Sequence, residues 1–125
     1  MCILYLGPTP QPGVEHDYHL SPIYAPDELL ASFPPMLMQC GGRDPLVDDT
    51  IQFAGRVVNA KKVARETTNH GDSVLEAKVA TQIFPGWSHG YLQMSAIMPE
   101  ACVAIDDIAG WIAKRFERRE REIYK

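Results

Sequence analysis

The sequence predicts an α/β fold with a parallel sheet, on the basis of three observations. Residues Met36–Cys40 form a short apolar run between two prolines and two glycines, which is typical of a buried parallel strand. A second strand is predicted over Val79–Phe84, directly before Pro85-Gly86. Each strand precedes a segment with helical periodicity, and strands separated by helices usually join a parallel sheet through right-handed crossovers. The predicted order is coil, strand, helix, loop, strand and helix.

Residues 1–35 are predicted to be irregular, because they hold seven of the ten prolines and show little periodicity. Proline lacks a backbone N–H and fixes φ, so we expect extended coil. One short helical turn is predicted at Pro26–Leu30, where acidic residues lie in the first turn. The chain is therefore divided into this proline-rich segment, a partial α/β domain at residues 36–119 and a polar tail at residues 120–125.

Two long helices are predicted from apolar positions that recur every three or four residues. The first starts at Asp48 or Asp49, either of which could cap it, and ends by Thr67, before a loop at Thr68–Ser73. The second starts at Pro99. The apolar stripes consist of Ile51, Phe53, Ala54, Val57 and Val58 in the first helix, and of Cys102, Ile105, Ile108, Ala109, Ile112 and Phe116 in the second.

A sheet of two parallel strands is only marginally stable, because it buries little apolar surface and leaves its edges unpaired. A stable parallel α/β sheet needs more strands than these residues provide. We therefore expect an incomplete domain that is marginally stable on its own and inclined to aggregate.

The composition argues against several classes of partner and site. The chain has 125 residues, a net charge of −4 and 46% hydrophobic residues, so a core is expected but a nucleic-acid or anionic-membrane partner is not. No apolar run approaches the ~20 residues of a membrane span. Cys2, Cys40 and Cys102 are odd in number and far apart, which argues against a disulfide framework or a zinc site. We expect no cofactor or metal, a cytoplasmic location, and Cys40 and Cys102 as small core residues.

Two residues with catalytic potential follow the two predicted strands. Asp44 comes after Gly41-Gly42, whose glycines let the backbone turn sharply, and His89 comes after the second strand. In parallel α/β sheets functional groups gather beyond the carboxyl ends of the strands, so both side chains are expected at one edge. A carboxylate bonded to one imidazole nitrogen leaves the other nitrogen free to take a proton from a serine hydroxyl. From spacing alone, a helix-capping aspartate and a hydrogen-bonding loop histidine remain alternatives.

Ser88 lies in a sequence that imitates a nucleophile elbow. Residues 86–90 match the pattern G-x-S-x-G. In a true elbow, however, the acid and the base follow the serine along the chain, whereas Asp44 precedes Ser88. His89 is also a poor partner for its neighbour, because adjacent side chains in an extended segment point in opposite directions. We therefore do not expect Ser88 to be a nucleophile.

Several blocks of sequence between Leu20 and Trp111 occur together in one known family. They are Leu20-Ser21-Pro22, Ala25-Pro26, Phe33-Pro34-Pro35, Gly42-Arg43-Asp44-Pro45-Leu46-Val47-Asp48-Asp49, Phe53-Ala54-Gly55-Arg56 and His89-Gly90-Tyr91. On these blocks the chain resembles the last part of an α/β-hydrolase of the hormone-sensitive-lipase-like family, over roughly three quarters of its length.

The resemblance implies the C-terminal part of an α/β-hydrolase fold and a carboxylic-ester hydrolase of the esterase or lipase type, acting on a small carboxylic ester or an acylglycerol. It implies that Asp44 is the triad acid and His89 the base, with Asp48 as the second choice for the acid. The family's His-Gly-Gly oxyanion-hole motif and its nucleophile elbow do not occur in these residues. Without a nucleophile and oxyanion donors, the chain alone is expected to be inactive.

A non-catalytic, hydrolase-derived binding or dimerisation module is the alternative function. In related hydrolases the last strand and the last helix form a dimer face. The equivalents here are residues 78–84 and 99–119, which would make the chain a homo-oligomer. Four residues near His89 are open to two interpretations, an acyl pocket or ordinary core packing: Tyr91, Leu92, Met94 and Met98.

Overall fold

The computed structural model describes residue 9, residues 12–68 and residues 79–123. Strand β1 spans Met36–Gly41 and strand β2 spans Val79–Phe84, and the two pair in a parallel, two-stranded sheet. Helices α1, α2 and α3 span Asp27–Ala31, Val47–Thr68 and Pro99–Ile123. Short 3-10 turns lie at Val14–His16, Pro22–Tyr24 and Tyr91–Met94. The predicted α/β order and the predicted strands are confirmed.

The chain divides into two compact units. One consists of Met1–Met36 with Asp49–Val79, and the other of Leu37–Asp48 with Ala80–Lys125. The loop predicted at residues 68–73 lies outside the described residues, except for Thr68, which ends α2.

The first unit has a small core between α1 and α2. Leu30, Val57, Ala25 and Ala60 are buried there, with Phe53 packed against them. The inward face of α2 therefore differs from the predicted stripe, because two of the predicted apolar positions, Ile51 and Val58, are exposed. Lys61 lies on the buried face, one residue after Ala60. A prediction based only on the spacing of apolar residues cannot place a lysine on the buried face of the helix.

Arg56 of α2 binds the proline-rich segment that precedes β1. Its guanidinium donates hydrogen bonds to the carbonyl oxygens of Ile23 and Ala25, the latter at 2.9 Å, and forms a 2.6 Å ion pair with Asp27. Proline-rich chain forms few hydrogen bonds with its own backbone. The cation on α2 satisfies carbonyl groups that regular secondary structure would otherwise satisfy.

Lys61 acts in the same way one turn and a half further along α2. The side chain is 1% exposed, and its ammonium donates to the carbonyl oxygens of Ala31 and Phe33. Burial, followed by the like charge of Arg65, lowers the pKa of Lys61 below its ordinary value. The two carbonyl contacts satisfy a charge that would otherwise be costly to bury.

Helix α2 begins earlier than the sequence predicted. Val47 is its first residue, so Asp48 and Asp49 lie within the first turn and neither is the cap. Carboxylates in the first turn still interact favourably with the helix dipole. The N–H of Leu46, just before the helix, is satisfied by Asp44 instead, as described below.

Helix α3 turns a different face inward than its apolar pattern predicts. Ala101 and Ala104 are buried, and Ile108 and Trp111 are half-buried. The exposed positions include most of the predicted stripe: Cys102, Ile105, Ala109, Ile112 and Phe116. The interpretation of Cys102 as a core residue is therefore wrong, whereas Cys40 is buried. Alanines add little to an apolar pattern, but their small side chains permit close packing on the Tyr91–Met94 turn.

The same helix is also longer than predicted. It continues to Ile123, so residues 120–123 of the predicted polar tail are helical. Glu117 and Arg121 lie one turn apart near its end, with 3.9 Å between their charged groups, and such pairs support exposed helices. In the described part of the chain, no helix combines the length and the apolar character that crossing a membrane requires.

Candidate active site

The loops that follow β1 and β2 are joined by backbone hydrogen bonds within the second unit. The N–H of Gly42 donates to the carbonyl oxygen of Phe84 at 2.8 Å, and the N–H of Arg43 donates to that of Trp87 at 2.9 Å. A Cβ atom on Gly41 would lie 2.3 Å from the Trp87 oxygen. Glycine is needed here because two backbones come close together, and not for a sharp turn, since neither Gly41 nor Gly42 has a positive φ.

Asp44 lies at the centre of the first loop and is 8% exposed. Its Oδ1 atom accepts a 2.9 Å hydrogen bond from the N–H of Leu46, two residues later. Its backbone N–H donates to Gly41, and its carbonyl oxygen accepts from the N–H of Val47, the first residue of α2. Aspartate side chains commonly bond to the backbone two residues on, which fixes a turn. The carboxylate is therefore held rigidly just before the helix.

His89 meets the same carboxylate on its other oxygen. The distance from His89 Nδ1 to Asp44 Oδ2 is 2.8 Å, and the imidazole side chain is 67% exposed. An ionised carboxylate only accepts hydrogen bonds, so Nδ1 carries a proton in this contact. In the neutral ring, the Nε2 atom is then an acceptor on an exposed ring. The structure thus brings together the two residues that the sequence singled out, at adjacent strand ends.

The surroundings of Asp44 favour its charged form. The N–H of Leu46 lowers the pKa of the Asp44 carboxyl most, and burial opposes this effect. The His89 ring and the thiol of Cys40 lower it further through hydrogen bonds. The Asp44 carboxyl is accordingly ionised at neutral pH. Cys40 is a contact that the sequence did not indicate, since a cysteine in an apolar run is indistinguishable from a core residue.

Three aromatic rings support the turn that carries His89. The rings of Phe84 and Trp87 are stacked, with centroids 4.3 Å apart and planes at 9°. Tyr91 packs against both, at 5.3 Å from Phe84 and 4.9 Å from Trp87. Gly90 lies between His89 and Tyr91 with a φ of 73°, a backbone conformation that side chains disfavour. This cluster holds both ends of the histidine segment.

A cleft of about 500 Å³ opens beside the Asp44–His89 pair. Its apolar lining includes Leu37, Leu92, Ile108, Trp111 and Ile112, and its polar lining includes Gln39 and Gln93. Of the four residues open to interpretation as an acyl pocket, Tyr91 and Leu92 line this cleft, and Met94 and Met98 do not.

Ser88 and Asp48 lie apart from this arrangement. Ser88 is exposed and comes four residues after the end of β2, with no helix directly behind it, so the local geometry is not that of a nucleophile elbow. Asp48, the second choice for the acid, is exposed in the first turn of α2. Within residues 12–68 and 79–123, no group of three His, Cys, Asp or Glu side chains is arranged to hold a metal ion.

Comparison with known proteins agrees with this architecture. A model of a family described by the alpha/beta hydrolase fold matches residues 1–74. Mouse (Mus musculus) hormone-sensitive lipase is 26% identical over 98 residues, which are 78% of this chain and 11% of the lipase. A solved structure of a serine-to-alanine mutant of LAE6, an alpha/beta hydrolase enzyme from the metagenome of Lake Arreo, Spain, superposes with a TM-score of 0.67. That match has 24% identity and covers 87% of this chain and 29% of the LAE6 chain.

The chain therefore spans less than a third of either relative, and what it shares with LAE6 is the fold. The family model covers more than half of the chain, including Asp44 and its loop. The similarity to the lipase extends over most of the chain. The chain belongs to the alpha/beta hydrolase fold family, of which it represents a hormone-sensitive-lipase-like part.

Proposed function

We propose that Asp44 and His89 are the acid and the base of a Ser-His-Asp triad in a carboxylic-ester hydrolase of the esterase or lipase type. The observation that carries the proposal is the 2.8 Å contact between His89 Nδ1 and Asp44 Oδ2, on an imidazole that is otherwise largely exposed. A buried, ionised carboxylate against one nitrogen of an accessible histidine is the arrangement that general-base catalysis requires.

Each step of ester hydrolysis gives these two residues a defined task. His89 Nε2 takes the proton of a serine hydroxyl while the serine oxygen attacks the ester carbonyl. Asp44 remains ionised and stabilises the imidazolium that forms. His89 then gives the proton to the leaving alcohol, and in the second half of the reaction it activates water in the same way. Asp44 never takes the proton, which is consistent with its lowered pKa.

Neither the family's His-Gly-Gly motif nor an elbow serine that precedes the acid and the base occurs in the sequence. Ser88 adjoins His89 in a loop without elbow geometry. Oxyanion stabilisation is usually the largest single contribution to acyl transfer. The chain on its own is therefore proposed to supply the acid and the base without turning over esters, with a carboxylic ester or an acylglycerol as the substrate class of the whole hydrolase.

A reducing compartment, with the cytoplasm as the first choice, is part of the same proposal. Cys40 and Cys102 are free thiols, one buried and one exposed. Exposed free thiols are more common where disulfides do not form.

The first test uses the purified chain with p-nitrophenyl butyrate, beside the Ser88→Ala and His89→Ala variants. We expect none of the three proteins to exceed the buffer rate. Robust turnover by the parent chain that disappears in both variants would show that Ser88 is a nucleophile after all, and the inactivity proposal would fail.

The second test gives the acid and the base a nucleophile. A hydrolase of established activity has its own C-terminal strand–helix–strand–helix segment replaced by residues 20–123 of this chain, and ester turnover is measured. Asp44→Asn is expected to reduce kcat by about 10⁴, because the wrong imidazole tautomer forms. Asp48→Asn is the matched control and should leave the rate unchanged. A folded, active chimera that tolerates Asp44→Asn or His89→Ala would contradict the assigned roles.

The non-catalytic dimerisation module remains a second candidate, on one observation. Three large apolar side chains of α3 are exposed at helical spacing: Ile105 is 39% exposed, Ile112 is 44% exposed and Phe116 is 66% exposed. Sedimentation equilibrium separates this candidate from a monomeric fragment. A dimer that Ile112→Lys dissociates, while Lys114→Ala does not, would favour the module.

A further inference from the structure

His89 depends on its neighbours in the chain for its position. Asp44 is its hydrogen-bond partner, and two thirds of its side chain face solvent, so packing on the ring itself restrains it little. Gly90, the next residue, has a left-handed backbone with nothing within 4 Å of the place where a side chain would be. The first firm attachment after the histidine is Tyr91, which is 6% exposed.

The Tyr91 hydroxyl binds a glutamine of one strand, which in turn binds a glutamine of the other strand. It donates to Gln39 Oε1 at 3.2 Å, and Gln39 Nε2 donates to Gln82 Oε1 at 3.0 Å. Gln39 belongs to β1 and Gln82 to β2. The two donations run in one direction, from the tyrosine to the first amide and from the first amide to the second, and such chains strengthen one another. The order also fixes the amide of Gln39, whose oxygen must face Tyr91 and whose nitrogen must face Gln82.

Two amides in the middle of a parallel pair of strands are unexpected on packing grounds. Such strands are usually continuous apolar runs, and a part-buried amide destabilises a fold unless each polar atom finds a partner. Gln39 lines the cleft between apolar residues, and its partners are Gln82 and Tyr91. The two amides together give the hydroxyl of Tyr91 an acceptor that is itself held by a hydrogen bond to the other strand.

We propose that Tyr91 is a positioning residue for the Asp44–His89 pair, and that Gln39 and Gln82 orient its hydroxyl for that purpose. The proposal rests on the proposed function for its catalytic meaning. The hydroxyl fixes Tyr91, just after Gly90, and the packed rings of Phe84 and Trp87 fix the chain before His89. His89 is thereby held where its Nδ1 atom reaches the carboxylate. Burial, followed by Cys40, raises the pKa of Tyr91, so the hydroxyl keeps the proton it donates.

The test measures the tautomer of neutral His89 from the nitrogen chemical shifts of its ring in the full chain. Contact with Asp44 favours the Nδ1–H tautomer, so the ratio of Nδ1–H to Nε2–H reports the pairing directly. Tyr91→Phe keeps the ring and removes only the hydroxyl. We expect it to lower this ratio about threefold to tenfold, the factor that corresponds to the net contribution of one hydrogen bond. Tyr24→Phe, a change of the same kind on a half-exposed tyrosine, should leave the ratio unchanged.

Two variants of Gln39 separate positioning from packing. Gln39→Met removes the acceptor and should lower the tautomer ratio of His89 as Tyr91→Phe does. Gln39→Glu keeps an acceptor oxygen, so its tautomer ratio should stay close to that of the parent chain. In the Tyr91→Phe background, Gln39→Met should have no further effect, because both changes break the same contact. An unchanged ratio in Tyr91→Phe would overturn the proposal, and so would equal losses with Met and Glu at position 39 or full additivity in the double variant.

The readout does not depend on ester turnover. A tautomer shift in Tyr91→Phe without any effect on turnover of the chimera would support the positioning role of Tyr91 and contradict its importance for catalysis. If both hold, the chimera carrying Tyr91→Phe should lose kcat with little change in KM, which is the result expected of a residue that positions the pair and does not bind the substrate.

Discussion

Substitution of Gly41 by alanine is the sharpest test of how the two strand ends are assembled. The added Cβ would lie 2.3 Å from the Trp87 carbonyl oxygen, 2.8 Å from its carbon and 2.9 Å from the Ser88 oxygen. The first distance is about 1.1 Å short of the 3.4 Å at which ordinary contact begins. All three atoms belong to the backbone, so no side chain can rotate away. The segment that carries His89 must therefore move.

The energetic cost follows from the contacts that this movement breaks. The hydrogen bonds from Gly42 to Phe84 and from Arg43 to Trp87, at 2.8 and 2.9 Å, would stretch beyond bonding distance. Overpacking and the loss of these two bonds together should lower the free energy of unfolding by about 2–4 kcal/mol. The Asp44–His89 contact spans the same two loops, so its 2.8 Å distance should lengthen as well.

Urea unfolding followed by tryptophan fluorescence measures the loss of stability, and the His89 tautomer ratio measures the separation of the pair. Gly55→Ala is the matched control, because Gly55 lies inside α2 with open space around its Cα. This control should raise the free energy of unfolding by about 0.5–1 kcal/mol, since alanine suits a helix interior better than glycine. A Gly41→Ala variant that unfolds at the parent urea concentration and keeps the parent tautomer ratio would refute this account of the site.

Three further predictions concern the core and the acid. Leu30→Ala should lower the free energy of unfolding, measured with urea, by about 2–5 kcal/mol, because Leu30 is fully buried. Leu29→Ala is the control and should lower it far less, because Leu29 is 38% exposed. Equal losses in the two variants would contradict the described core. Cys40→Ala should raise the pKa of Asp44 towards its ordinary value, measured from the carboxyl carbon shift, and Cys40→Ser should not, because it keeps a donor. Because the pKa of Asp44 is lower in the folded state, its contribution to stability is complete above the ordinary value of 3.8 and is lost as the pH falls through the folded-state pKa. The difference in free energy of unfolding between the parent and Asp44→Asn should therefore shrink in acid, and a difference that grew would reverse the sign argued for the shift.

The two strands and the common edge at which Asp44 and His89 lie were accessible from the sequence. Turn-forming prolines and glycines mark the ends of both strands in the sequence, so Val79–Phe84 has the predicted bounds and β1 extends one residue beyond the prediction, to Gly41. Most residues of both strands are only partly buried, in contrast to the buried strand that the apolar run of β1 predicts. Once two parallel strands are assigned, their carboxyl ends lie side by side by necessity. Topology thus brings the two loops to one edge of the sheet, whereas the contact between the two side chains had to come from the structure.

The inward face of α3 was not accessible in the same way. Its large residues, such as Ile112 and Phe116, give the stronger periodic pattern, yet Ala101 and Ala104 are the buried positions. Periodicity measures where apolar surface is concentrated, whereas burial depends on which side chains fit against the neighbouring element. The role of Gln39 was inaccessible for a related reason, because its hydrogen bonds to residues more than 40 positions away leave no mark on local sequence.

Asp44 shows why the two interpretations of its loop could not be separated from spacing alone. One interpretation made it a helix-start residue and the other made it a triad acid, and each uses a different oxygen of the same carboxylate. Oδ1 binds the N–H of Leu46 beside the first turn of α2, and Oδ2 faces His89. The first contact prevents the carboxylate from rotating, and so it fixes the direction of the second. An aspartate is short enough to bond to the backbone two residues on while its second oxygen points away from the helix. The local structural role is therefore what orients the Asp44 carboxylate towards His89.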